Sequence, residues 1–132
     1  MMYSVLRVSG NVAQLFTAPA DYSTLPMEIR LRKPDDRVLT IDLSHATDWD
    51  AHLSEIEEKL NILELKVPAI MTGEYELLLD TALDTPEDKH DQIPGCWASF
   101  YKFGLNFLAM LVRRKIDLEV SIYLPMKPGE DE

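Results

Sequence analysis

The chain has 132 residues, a formal net charge of −10, 46% apolar and 27% charged residues, and a single cysteine. That size suits one domain around one core, and the lone Cys96 excludes an internal disulfide framework and suits a reducing compartment. The acidic balance argues against duplex nucleic acid or an anionic membrane surface as the main ligand, since both are bound through clustered Lys and Arg.

The charge is uneven. Ile41–Gly95 holds three Lys/Arg against fourteen Asp/Glu, whereas the segments before and after it are close to neutral. Such asymmetry governs what a surface attracts and says little about fold. The start, Met1-Met2-Tyr3-Ser4-Val5-Leu6, lacks a basic region followed by an apolar run, and the most apolar stretch, Leu105–Val112, is far too short to span a bilayer. A cytoplasmic location without membrane association is expected.

Tyr3–Ser9 alternates, with Leu6 and Val8 on one side, and Gly10 ends the strand. In Asn11–Ala18 a short helix is expected, with Val12, Leu15 and Phe16 on one face and Pro19 as its stop. A loop follows to Pro26. Met27, Ile29 and Leu31, then Leu39, Ile41 and Leu43, alternate on either side of Pro34-Asp35-Asp36, which predicts a hairpin. Its outer face and turn gather Arg30, Arg32, Lys33 and Arg37.

Thr47 precedes a predicted helix, with Asp50 placed as the reciprocal acid of a capping box. Trp49, Leu53, Ile56, Leu60 and Leu63 form its apolar stripe, and Glu55, Glu57 and Glu58 fall off that stripe toward solvent. Pro68 and Gly73 bracket a link, and Tyr75–Asp80 reads as a strand with Tyr75, Leu77 and Leu79 on one side. Asp84–Pro94 reads as an acidic loop.

Pro94-Gly95 opens a second predicted helix, Cys96–Lys115, with Trp97, Phe100, Tyr101, Gly104, Phe107, Leu108 and Leu111 on one face. Phe103, Leu105, Met110 and Val112 lie outside that face, so the helix is apolar round most of its circumference. Arg113-Arg114-Lys115 suit the negative end of its dipole. Ile116, Leu118, Val120 and Ile122 then alternate with Asp117, Glu119, Ser121 and Tyr123, the clearest strand in the chain.

The element order β-α-β-β-α-β-α-β predicts an α+β fold: a ferredoxin-like split β-α-β arrangement extended by a C-terminal α-β unit. Its helices lie on one face of a mostly antiparallel sheet. Residues 1–124 form a single domain and 125–132 a polar C-terminal tail.

No catalytic signature stands out. His45, Asp48, Asp50 and His52 supply metal-ligand chemistry, but without a paired-His spacing on one helix face. They also read as a helix cap with acids at the dipole's positive end. Glu87, Asp88, His90 and Asp91 cluster in a loop that reads equally as solvated surface. Cys96 falls at a predicted helix start, where a thiolate is favoured, yet free cysteines most often pack in cores. Arg30, Arg32, Lys33 and Arg37 suit a phosphate or carboxylate, or else pair with Asp35, Asp36 and Asp42.

An opening strand ending in Ser9-Gly10, a Trp-led helix Trp49–Leu63, and a long helix before Leu118-Glu119-Val120-Ser121-Ile122-Tyr123 together resemble the bacterial domain-of-unknown-function family 4279. Members of that family share this order and a terminal Ile-Tyr strand. The resemblance implies a small bacterial α+β domain and transfers no activity, cofactor or site residue.

The preferred functional reading is a non-enzymatic interaction protein, immunity- or inhibitor-like, that presents acid to a basic protein partner through Glu55, Glu57, Glu58, Glu64, Asp84, Glu87, Asp88 and Asp91. No metal or cofactor is expected. A second reading is a small ligand-binding domain or enzyme using Cys96 or the His45/His52 region. A third is a structural homodimer formed through the Cys96–Lys115 helix or a sheet edge.

Overall fold

The computed structural model describes residues 2–16, 24–31, 37–84 and 101–123. Five strands form one sheet in it: β1 (Met2–Ser9), β2 (Ile29–Leu31), β3 (Val38–Ser44), β4 (Glu76–Asp84) and β5 (Ile116–Tyr123). Two α-helices lie among the described residues, α1 (Trp49–Lys66) and α2 (Leu105–Arg113), with 3-10 turns at Val12–Phe16 and Pro68–Met71.

The sheet order is β2-β3-β1-β4-β5. β3 pairs antiparallel with both β1 and β2, β1 pairs antiparallel with β4, and β5 runs parallel to β4. The first four strands therefore interleave in the order and directions of the ferredoxin-like split β-α-β arrangement, with a 3-10 turn among the described residues of the first crossover and α1 in the second. β4-α2-β5 adds a parallel crossover, whose strands need a helix to join them.

Both helices and the first 3-10 turn pack on one side of the sheet. Leu6, Val8, Leu39, Ile41, Leu43, Leu77, Leu79 and Ile116 from the strands share one core with Val12, Leu15, Ile56, Leu60, Leu63, Phe107, Met110 and Leu111. Period-2 alternation in the strands and i, i+4, i+7 spacing in α1 direct these residues inward. Fully burying each large aliphatic side chain contributes about 2 kcal/mol before entropy is subtracted.

Several boundaries differ from the sequence expectation. The N-cap of α1 is Asp48, whose carboxylate accepts the Ala51 N–H at 3.0 Å, in place of Thr47. Either residue type caps well, and Asp48 wins because Trp49 already has helical backbone and begins the apolar stripe. Asn11–Ala18 contributes only a five-residue 3-10 turn, Val12–Phe16, among its described residues.

β4 continues past Asp80 to Asp84 because it is paired on both sides along its length. The polar Asp80-Thr81 step hides this continuation in the sequence. Residues 101–104 are not helical, and α2 starts only at Leu105 with Gly104 as its N-cap. Cys96, Trp97 and Phe100 of the long predicted helix lie outside the described residues.

Candidate functional site

The most ordered polar constellation lies inside the core, at the N-terminal end of α1. His52 is 0% exposed. Its Nδ1 lies 3.0 Å from the Ala46 carbonyl oxygen, which only accepts, so Nδ1 carries the proton. Nε2 is then bare and accepts the Ser4 hydroxyl at 2.7 Å. Ser4 Oγ in turn accepts the Thr81 hydroxyl at 2.9 Å. Ser44 Oγ also lies 3.0 Å from Nδ1 and takes the Ala46 N–H at 3.2 Å.

A β-bulge makes this assembly possible. β1 and β3 pair Ser4 with Ser44 and Val5 with Asp42, which leaves Leu43 without an opposite residue. An extra residue of this kind re-aims the side chains beside it. Here Leu43 and its neighbour Ser44 are both buried, at 0% and 1% exposure, and Ser44 reaches the imidazole.

Trp49 covers the assembly. Its ring stacks on His52 with centroids 5.8 Å apart and meets Tyr101 and Phe103 edge-on, both at 5.1 Å. Its Nε1–H donates to the Lys102 carbonyl at 2.8 Å, which pins the segment leading into α2. An aromatic that is apolar over its ring and polar at its tip suits such a lid.

Ser4, His52 and the Ala46 carbonyl reproduce the order nucleophile, base and orienting acceptor. Ser4, His52 and Thr81 are all 0% exposed, however, so no substrate carbonyl reaches Ser4 Oγ. The arrangement is a satisfied polar plug in the core, and it separates His52 from the exposed His45, Asp48 and Asp50 of the expected cluster. Among the described residues no group of three or more His, Cys, Asp or Glu is placed to hold a metal ion.

Burial pushes the His52 pKa below its usual 6.5, opposed by the Ala46 carbonyl and Glu55 and assisted by His45. The unfolded chain therefore binds a proton that the folded chain refuses. Stability is complete above about pH 6.5 and falls as pH drops from there toward the lowered folded value. Urea midpoints taken from about pH 7.5 down to about pH 5.5 should decline, and a His52→Gln variant should lose that component of the slope.

The acidic residues divide. On α1 the exposed positions are Asp50, Ala51, Ser54, Glu57, Glu58, Asn61, Leu65 and, at its C-terminal end, Lys66, the solvent-facing side of the helix. Glu57 and Glu58 lie at its centre and make no ion pair among the described residues. Glu55 lies 3.4 Å from Lys59. Glu64 is taken up internally: Arg114 Nε donates to its Oε2 at 2.7 Å and Arg113 approaches at 3.5 Å.

Arg114, 6% exposed, also donates Nη2–H to Asn61 Oδ1. It thus ties the end of α2 to the last turns of α1, and the dipole explanation of its position is incomplete. Asp84 ends β4, and Glu87, Asp88 and Asp91 lie outside the described residues. The acidic surface seen on α1 therefore consists of Asp48, Asp50, Glu57 and Glu58. Of the acids expected to meet a partner, Glu55 and Glu64 each contact a basic side chain, and the Asp48 carboxylate accepts the Ala51 N–H.

The opposite face of the sheet carries a second constellation that the sequence only half disclosed. Tyr3, Val5, Arg7, Arg30, Leu31, Val38, Thr40, Asp42 and His45 line a groove of about 690 Å³ there. Arg30 pairs with Asp42 at 2.5 Å, the internal pairing expected of the basic hairpin, and Arg7 pairs with Asp80 at 2.9 Å. Arg32 and Lys33 lie outside the described residues.

No helix among the described residues is long and apolar enough to cross a membrane. No family model, curated protein or solved structure matches this chain.

Proposed function

We propose that this protein is a non-enzymatic interaction protein that meets a basic protein partner through the outer face of α1, in the manner of an immunity or inhibitor protein. One observation carries the reading: Glu57 and Glu58, central on that face, are exposed and make no ion pair among the described residues. Asp48 and Asp50 extend the same sign of charge to the helix N-terminus. A single-sign patch on a rigid helix steers an oppositely charged protein and speeds association more than it strengthens the bound state.

The test uses a basic protein captured from lysate at low salt. The double variant Glu57→Lys/Glu58→Lys should associate roughly 10-fold more slowly, with dissociation little changed and the salt dependence flattened. Glu64→Gln should leave the association rate nearly unaltered. Association unchanged in the double variant would remove α1 as the docking face.

A second reading, self-association, is favoured by Leu105 and Val112 on α2, exposed at 85% and 74%, and by Val120 and Ile122 on edge strand β5. Sedimentation separates the two. Added salt strengthens contact between two chains of −10 and weakens the binding of a basic partner.

A further inference from the structure

The groove on the face of the sheet away from α1 and α2 has an internal order that surface charge alone does not require. Strand register sets Arg30, Thr40 and Arg7 in one row across β2, β3 and β1. The next row is Asp42, Val5 and Asp80 across β3, β1 and β4. Each arginine pairs with the carboxylate on its own side, so two guanidinium–carboxylate pairs flank a floor of Thr40 and Val5. Neighbouring strands lie about 4.8 Å apart, which puts the two arginine backbones about 10 Å apart. Arg30 leans toward Asp42 on β3 and Arg7 toward Asp80 on β4, so the two arginines border the Thr40–Val5 floor from its two sides.

The carboxylates are the buried partners and the guanidiniums the accessible ones. Side-chain exposure is 12% for Asp80 and 18% for Asp42, against 48% for Arg7 and 53% for Arg30. Burying a carboxylate is costly and such pairs add little net stability. What they do supply is orientation: each Asp holds one Nη2, and the other N–H donors of the half-exposed arginine remain available to a ligand. A supported arginine with free planar donors is the side chain suited to bidentate capture of carboxylate or phosphate.

At one end of the groove Tyr3 stacks on His45 with centroids 6.0 Å apart and an 18° interplanar angle, both rings partly exposed. This aromatic wall adjoins the charged centre. Glu57 and Glu58 face solvent on α1, which packs on the other side of the sheet. Glu76, Asp117 and Glu119 share the groove's face on β4 and β5, away from Arg30, whereas the exposed Glu28 lies opposite Asp42 just before β2.

We propose that this groove binds a small organic oxyanion, a carboxylate or phosphate monoester bearing an aromatic ring. Arg30, Arg7 and the Thr40 hydroxyl hold the anion, and the ring packs on Tyr3 and His45. The site is independent of the α1 surface.

The test is titration of the full chain with phenyl phosphate, phenylacetate, inorganic phosphate and benzyl alcohol, followed by backbone amide shifts. Phenyl phosphate or phenylacetate should saturate shifts at Tyr3, Arg7 and Thr40, and whichever binds identifies the anion. Arg30→Lys, which keeps the charge but loses the planar fork, should weaken binding roughly 10-fold. Thr40→Val should weaken it less, and Glu57→Gln not at all. Circular dichroism of each variant checks the fold. No saturable shift with either organic anion below about 10 mM would overturn the proposal. So would benzyl alcohol or inorganic phosphate binding as tightly as the ring-bearing anions, or a normal titration in Arg30→Lys.

Discussion

His52→Ala should lower the unfolding free energy by about 3 kcal/mol, roughly 10 °C in melting temperature for a chain of this size. The loss has two parts. Removing a fully buried imidazole leaves a cavity beneath Trp49. It also leaves the Ser4 hydroxyl without an acceptor and the Ala46 carbonyl without the Nδ1 donor. Stranded buried polar groups cost more than the hydrogen bonds contributed.

A double-mutant cycle separates these parts. Ser4→Ala in the His52→Ala background should cost about 1 kcal/mol less than in the native chain, because its partner is already gone. Urea denaturation at neutral pH supplies all four values. A His52→Ala loss below about 1 kcal/mol would mean that the network stabilises no more than a solvated surface histidine does.

Glu64→Ala should destabilise the protein by about 2 kcal/mol, whereas Glu57→Ala and Glu58→Ala should each change stability by less than about 0.5 kcal/mol. The three glutamates belong to one helix and look alike in sequence. Glu64, though itself half-exposed, is the carboxylate facing Arg114, whose side chain is only 3% exposed. Arg114 Nη1 is already buried without a partner, so loss of Glu64 leaves the guanidinium held by Asn61 alone.

A compensating change sharpens this expectation. Arg114→Met should recover part of the stability lost in Glu64→Ala, since it removes the stranded charge and keeps an apolar stem in place. Equal effects for Glu64→Ala and Glu57→Ala in urea titrations would show that the Arg114 contact contributes nothing. Binding measurements on the same variants should give the reverse order, with Glu57 and Glu58 affecting association and Glu64 leaving it nearly unchanged.

Elements whose side chains obey one period were legible. β5 alternates without exception and is found at Ile116–Tyr123, and the α1 stripe places Ile56, Leu60 and Leu63 in the core as expected. The order of elements also points to the split β-α-β sheet. The sequence pattern of β4 ends at Asp80 because the polar Asp80-Thr81 step breaks it, whereas the strand runs to Asp84. Thr81 is nevertheless an inward residue, bonded to Ser4 from a strand seventy-seven positions away.

The α1 acid was visible as a run of Glu, and the division within it was not. Nothing local separates Glu64 from Glu58, because the difference is made by an arginine fifty residues on. The groove was half visible for the same reason. Arg30 and Asp42 belong to one hairpin and were readable together, whereas Arg7, Asp80 and Tyr3 join them only across the sheet.

The amino-acid sequence by itself determined the α+β class, the strand and helix order, the apolar faces and the acidic middle of the chain. Each of these follows from short-range periodicity, turn chemistry or composition. Only the tertiary structure decided which polar residues are partners and which face solvent: His52 inward and His45 outward, Glu64 engaged and Glu57 exposed. A β-bulge that turns Ser44 inward and a sheet that sets β1 between β3 and β4 bring together side chains far apart in the chain. Such partnerships depend on strand register, which no local pattern of residue types encodes.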